Sequence, residues 1–345
     1  MKKRILLMML AAALLLGGCR KQEPAPQPQP EQPPEKPPAE STEMPKDTVL
    51  RIDELCIELS RGSSSTEELA AAVRTLPGWL EERFAQAEDL EIGSVRVSVG
   101  TAPAATAQAL TEGKVDLAFL PAADFVSYGG AAVALYGDLP LSPSSSEIGN
   151  RGLICAAPAE YGVRLSTRAG SGKPLSWREV SQARWGVPGE ASLTGYQAFD
   201  LWLHDQYGKR ITDLPRLTVY ETESELFDAI AAEEVDAAVF RDDARGDFAA
   251  FWKDHEGNDG GLLDPASIWN EVPVIDVTER LYHVVLAAAP ERELSDPRFT
   301  AALEQVLGQL MNERADMHPV LGAGNFAPVE TQCLNATARL AALNE

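Results

Sequence analysis

The chain has 345 residues, 45% of them hydrophobic and 24% charged, and its formal charge is −22. That is enough for two ordinary domains of soluble composition, and so negative a surface excludes a nucleic-acid-binding face and charge-driven adhesion to anionic lipid. It leaves a small ligand open, because a local site can oppose the global field.

The N-terminus reads as a processing segment. "MKKR" is a basic n-region and "ILLMMLAAALLL" an apolar h-region too short for a comfortable membrane span. The run ends in "LLGGC", where small residues before a cysteine resemble a bacterial lipobox. Residues 1–18 are therefore expected to be a lipoprotein signal peptide cleaved before Cys19, with lipid (palmitate) on Cys19 holding the protein to the membrane at the bacterial cell surface. The alternative is an ordinary secretory signal or an uncleaved anchor. Cleavage would remove Lys2, Lys3 and Arg4 and take the charge from −22 to −25. Residues 19–47 form the tether. The stretch 20–47 holds nine prolines and no large apolar residue except Met44, so it cannot bury a core. As extended polyproline it would reach on the order of 80 Å, at about 3.1 Å per residue.

In the body, strand-like runs fall at 49–59, 95–99, 115–120, 152–157, 184–188, 217–220, 235–240 and 282–288. Helical patterns lie between most of them, at 66–87, 104–112, 176–182, 195–206, 223–232 and 297–313. Strands alternating with helices predict α/β architecture with parallel sheets. The first helix should be capped by Thr66 and kinked or divided at Pro77. Cys56 and Cys155 sit in apolar, strand-like runs and read as buried thiols, while a disulfide through Cys333 stays open. No CxxC occurs and the four histidines lack ligand spacing, so neither a zinc site nor any cofactor is expected.

One small unit recurs. "GKVDLAF" at 113–119 and "EEVDAAVF" at 233–240 each follow a helical pattern and open a short apolar strand. Asp116 and Asp236 are read as turn residues that bind local backbone amides. The strands after them carry the chain to the edge of a sheet, where ligands bind. Two lobes built on one plan would face each other across a cleft.

The order "VRVSVG", "ALTEGKVDLAFLPAADFV", "RGLICAAPAEYGV", "LSWREVSQARWGVPGEASLTGYQAFDLWL", "LFDAIAAEEVDAAVFRDD" and "GAGNFAPV" resembles the phosphate/phosphite/phosphonate-binding family of ABC-importer solute receptors, over roughly residues 48–330. The resemblance implies the two-lobed type II periplasmic-binding-protein fold. Each lobe would be a mostly parallel sheet flanked by helices, with two crossover strands, near 152–158 and 282–288, serving as hinge. Lobe 1 would comprise 48–160 and 275–345, and lobe 2 would be 161–274. It also implies a monomer without enzymatic activity that hands a small oxyanion to an ABC permease and ATPase.

The same family holds the phosphoryl group on a turn matching "SLTG". That implies a ligand role for Ser192 and Thr194 beside Gly195, at a helix start where unpaired amides and the dipole favour an anion. Simple capping is the other reading of those hydroxyls, and Tyr196 follows the turn. On the opposite lobe, "RGSSST" places Arg61, Ser63 and Ser64 in a second strand-to-helix turn, either an anion loop or a polar loop capped by Thr66. The sequence departs from the family where Phe125, after Asp124, replaces a cleft tyrosine. Glu223 stands where a histidine is common, and Arg241 with Asp242 follows the second strand. Arg241 suits a planar oxyanion, or it pairs with Asp242, Asp243 or Glu234. Trp269 is a candidate cleft wall. Other functions stay open at this stage: a module that senses ligand for a membrane partner, a receptor for a cationic or uncharged metabolite facing Asp124, Glu223 and Asp242, a catalytically active member of the same fold, and a structural surface lipoprotein that has lost its ligand.

Overall fold

The computed structural model describes residues 49–61, 64–139, 150–242, 244–255, 267–290 and 293–344. The signal segment, Cys19, the tether, Ser63 and Asp243 lie outside the described residues. The strands are β1 (Leu50–Leu59), β2 (Leu90–Val99), β3 (Leu117–Pro121), β4 (Val133–Leu139), β5 (Gly152–Ala156), β6 (Trp185–Pro188), β7 (Leu217–Tyr220), β8 (Ala237–Arg241), β9 (Val274–Val277), β10 (Val284–Ala288) and β11 (Asn325–Pro328). The helices are α1 (Thr66–Phe84), α2 (Pro103–Thr111), α3 (Ala122–Tyr128), α4 (Glu160–Gly170), α5 (Trp177–Gln182), α6 (Ala198–Tyr207), α7 (Glu223–Ala231), α8 (Ala244–His255), α9 (Ser267–Glu271), α10 (Pro297–Glu313), α11 (Met317–Leu321) and α12 (Thr331–Leu343). A π-helical turn, Leu193–Gln197, runs directly into α6.

Two sheets form, in the orders β11-β4-β10-β3-β1-β2 and β7-β6-β8-β5-β9. Apart from the edge strand β11, they follow one plan. In each, three neighbouring strands run parallel (β2, β1, β3 and β7, β6, β8). An antiparallel strand comes next (β10 or β5), and a strand antiparallel to that one follows (β4 or β9). Pairing is therefore mixed rather than mostly parallel, because the strand that enters each sheet from the other one runs against its neighbours.

The repeated "VD" has the same function in both sheets. The amide of Asp116 donates to the Cys56 carbonyl at 2.9 Å, and its carboxylate accepts the Cys56 amide at 2.6 Å. The Asp236 amide donates to the Arg184 carbonyl at 2.8 Å, and its carboxylate accepts the Arg184 amide at 2.8 Å. Each aspartate locks the start of a strand to the central parallel strand beside it, which accounts for the recurrence.

The second sheet is covered on both faces, as parallel strands require. Ile154, Trp185, Val187 and Val239 face one apolar cluster, while Leu153, Cys155, Ala238 and Phe240 face another. The first sheet packs against α1 and α10 through Leu69, Leu76, Leu80, Phe84, Phe299, Leu303 and Leu310. Helix α1 is continuous through Pro77. Its buried leucine stripe outweighs the hydrogen bond that the proline forfeits. Its cap is Ser65 rather than Thr66, since Ser65 has Glu68 three residues on. The Ser65 hydroxyl accepts the Glu68 amide at 3.2 Å and the Glu68 carboxylate accepts the Ser65 amide at 2.8 Å. Cys56 is only half-buried, with its thiol between Glu54 and Arg96, and Cys56, Cys155 and Cys333 are all unpaired.

The passages between the sheets differ from the expected boundaries. Strand β5 pairs only with β8 and β9, so the change of sheet falls before Gly152, not after residue 160. Strand β9 belongs to the second sheet, so the return falls between Val277 and Val284, not at 275. The two passages pair with each other: Asn150 and Leu281 exchange two backbone hydrogen bonds of 2.7 Å. Asp138, at the end of β4 and 3% exposed, binds both passages. Its carboxylate accepts the Asn150 side-chain amide at 2.6 Å and the backbone amides of His283 and Val284 at 2.8 and 3.1 Å. Burial pushes this carboxyl above the usual range, and the N–H donors pull it back. Asp138→Ala would strand three donors, and at about 1 kcal/mol or more for each orphaned group it should cost at least about 3 kcal/mol. Urea denaturation should show that loss as a lower midpoint at unchanged slope.

Candidate functional site

In both sheets the carboxyl ends of the parallel strands lie beside the paired passages. Pro121, the last residue of β3, is opposite Val284, and Arg241, the last residue of β8, is opposite Gly152. Residues that follow β1, β2, β6 and β8 are therefore the ones a ligand between the sheets would meet.

The turn after β6 is the best-formed part of this edge. Ser192 precedes the π-helical turn, and its hydroxyl accepts the Gly195 amide at 3.1 Å. The Ser192 carbonyl accepts from Tyr196 and Gln197 at 3.2 and 3.0 Å. The amides of Leu193 and Thr194 make no hydrogen bond within the described residues and lead the continuous helical run 193–207. Both readings of Ser192 are compatible, since a hydroxyl that accepts from Gly195 keeps its own proton to donate. π-helical turns occur often at functional sites. Gly195 is required by space: a Cβ there would lie 2.2 Å from Pro188 Cγ. A Cβ at Gly152 would lie 2.2 Å from the Thr194 carbonyl oxygen, so the turn rests on the start of β5, where the passage ends. Tyr196 is half-buried and lines a cavity of about 210 Å³ with Asp200, Arg210 and Asn344. Burial raises its hydroxyl pKa.

The other expected residues divide. Arg241 donates to Glu223 at 2.9 Å and also pairs with Asp247, so it and Glu223 satisfy each other rather than stand open; of its expected partners, Asp242 goes elsewhere. Asp242 accepts Arg151 Nε at 3.1 Å and lies 3.9 Å from Arg280. Phe125 is 8% exposed and belongs to the core of the first sheet, with Gly129 against its ring; it does not replace a cleft tyrosine. Asp124, in the first turn of α3, is half-buried, and burial raises its carboxyl pKa. Ser64 donates to the Pro319 carbonyl at 2.8 Å, which ties the α1 entry to α11; Arg61 is exposed. Trp269 is exposed and stacks under Arg245 at 4.4 Å.

Three residues at this edge were missed. Ser60, at the end of β1, is 7% exposed with its hydroxyl unpartnered among the described residues. Arg151 and Arg280 sit one on each passage. No motif marks them; only their flanking of the "GLICA" strand and the "LYHVVLAAA" run hinted at the place. A separate open groove of about 550 Å³ lies at the opposite, amino edge of the second sheet, lined in part by Arg164, Arg184 and Asp236. Among the described residues no cluster of His, Cys, Asp and Glu could hold a metal ion.

Two sheets of one plan, joined by two paired passages that lie beside the carboxyl ends of the parallel strands, define a two-lobed architecture. Residues 63–332 match the family described as ABC transporter, phosphonate, periplasmic substrate-binding protein. The chain belongs to that family, an extracytoplasmic solute-binding component rather than an enzyme. Among solved structures it is similar to transferrin 1 from Manduca sexta, at 11% identity and TM-score 0.52, over 85% of this chain and 46% of that one. It is also similar to PhnD1 from Prochlorococcus marinus in complex with methylphosphonate, at 10% identity and TM-score 0.39, over 85% and 98%. A third is a binding protein component of an ABC phosphonate transporter from Pseudomonas aeruginosa, at 13% identity and TM-score 0.37, over 84% and 85%. No curated protein sequence matches the chain.

The contact between the turn and the passage is testable by itself. Gly152→Ala should cost about 1–3 kcal/mol, the usual penalty for overpacking. Gly189→Ala, where nothing lies within 4 Å, should stay within about 0.5 kcal/mol. Thermal melts of the two variants read the difference.

Proposed function

We propose that the protein is a lipid-anchored receptor that captures a small oxyanion, such as a phosphonate, phosphite or phosphate, and delivers it to an ABC permease and ATPase. The observation that carries the reading is the helix start after β6. It presents two amides, of Leu193 and Thr194, that are unengaged among the described residues, and two hydroxyls beside the passage between the sheets. Membership of a phosphonate-binding receptor family supports the ligand class. The lipobox-like "LLGGC" and the proline tether support anchoring through Cys19. The paired passages near Asn150 and Leu281 are where the two lobes would turn as they close on ligand.

The global field repels an anion, so binding must come from short-range contacts. Charge-assisted hydrogen bonds contribute about 1.5–3 kcal/mol each. Ser192→Ala/Thr194→Ala should therefore weaken binding at least about tenfold, 1.4 kcal/mol being a factor of ten. Calorimetry with phosphate, phosphite, methylphosphonate, 2-aminoethylphosphonate and a sulfonate measures it. Silence of the wild type toward all five would refute the oxyanion reading, and an unaffected double variant would move the site off this turn. Saturating ligand should also reduce the radius of gyration in small-angle scattering.

Anchoring is tested separately. Cys19→Ala should abolish metabolic labelling with a radioactive fatty acid and release the protein from the membrane fraction or leave its signal uncleaved. Retained label and normal processing would refute it.

A further inference from the structure

On the first lobe, residues expected to meet a ligand are otherwise placed: Phe125 lies in the core and Ser64 donates to the Pro319 carbonyl. Two other features stand at that edge. Helix α2 starts bare. Its N-cap is Ala102, whose side chain cannot cap, and Pro103 follows without an N–H. The amides of Ala104 and Ala105 make no hydrogen bond among the described residues. Ala102 and Ala105 are exposed, so this helix start is open to a ligand. The Gly100 amide donates to the Leu59 carbonyl at 3.0 Å, so the turn into α2 runs beside the end of β1, where Ser60 follows. Ser60 is 7% exposed, and its hydroxyl has no partner among the described residues. Its amide donates to the Phe119 carbonyl at 2.9 Å, so strand pairing extends through it and its side chain falls on the same face of β1 as Glu58. That is the face α2 covers: Glu58 accepts the hydroxyl of Thr106, the fourth residue of α2, at 2.6 Å. Ser60 thus lies one pleat beyond Glu58, toward the start of α2. The other Glu58 oxygen accepts the Ser98 hydroxyl at 3.4 Å. A buried hydroxyl without a partner and a helix start without a cap are each unfavourable, and one anion between them satisfies both.

We propose that the Ser60 hydroxyl and the Ala104 and Ala105 amides are the first lobe's grip on the oxyanion, taking the oxygens that the Ser192–Gly195 turn leaves free. This rests on the oxyanion reading above and gives the anion a contact on each lobe. A tetrahedral phosphoryl or phosphonyl group presents oxygens in opposing directions, so one anion can meet a helix start of each sheet at once. A capping side chain at position 102 would compete with the ligand for the same amides, which accounts for the alanine there.

The test is calorimetry on the purified protein with inorganic phosphate and methylphosphonate, alongside thermal melts without anion. Ser60→Ala should weaken binding at least about tenfold, the loss of one charge-assisted contact. Its melting point should hold or rise, because no bond within the chain is lost. Ala102→Asn should raise the melting point by capping α2 and still weaken binding, because its side chain occupies an amide that the anion needs. Being neutral, it leaves the long-range field unchanged. Weaker binding without loss of stability is a result that a purely structural role for these residues does not produce. Unchanged or tighter affinity in either variant, with wild-type binding intact, overturns the proposal and leaves the oxyanion reading standing. A lower melting point in either variant also overturns it, since the hydroxyl or the helix start would then be satisfied within the chain. A wild type that binds neither these two anions nor the wider panel overturns both readings together.

Discussion

The architecture depends on one buried carboxylate. Asp138 ends β4 and holds Asn150 on one passage and the amides of His283 and Val284 on the other, while Asn150 and Leu281 bond to each other. Taking a carboxylate out of water is unfavourable, and its donors only partly offset that, which is why its pKa is raised despite them. The arrangement fixes where the chain leaves and re-enters the first sheet. It therefore fixes which strand ends of the two sheets lie beside the passages. Asp138 thus holds both passages at the end of β4, one of them leading directly into Gly152, on which the Ser192–Gly195 turn rests.

The duplicated plan supplies the rest. In both sheets an aspartate after a helix binds the start of the adjacent strand reciprocally, Asp116 with Cys56 and Asp236 with Arg184. In both, the strand arriving from the other sheet is inserted antiparallel beside the strand that follows this aspartate. The antiparallel strand starts where its parallel neighbours end, so every passage begins at a carboxyl edge. A carboxyl edge beside a passage thus follows from strand direction alone, twice.

Helix α12 limits how the halves can move. It packs on α3 of the first sheet, while its Ala336 and Leu340 join Ala198 and Leu201 of α6 and Leu281 of the second passage in one apolar cluster. Arg339 pairs with Asp205 and Glu279, and Arg210 donates to the Leu343 carbonyl at 2.9 Å. Any turning of one sheet against the other must pivot close to this cluster or break it.

By itself the sequence determined the fold class, the repeat and the turn after β6, because these are written in local pattern. Apolar runs of strand length, helix periodicity, an Asp at each turn and a hydroxyl-rich, glycine-containing turn are all properties of neighbouring residues. It missed β4, β9 and β11. The last two are short and exposed, carrying no apolar run, and are held in place by the strands beside them. It also misplaced the change of sheet. An apolar run such as "GLICA" shows that a strand is buried and not which sheet it joins, and only pairing with β8 and β9 decided that. The same limit governed the site. Whether Phe125 faces a ligand or the core, and whether Arg241 is open or satisfied by Glu223 and Asp247, depends on residues distant in sequence or on the side a helix turns inward. Arg151 and Arg280 lie 129 positions apart in sequence and carry no motif. Only the antiparallel pairing of the two passages brings them to one carboxylate.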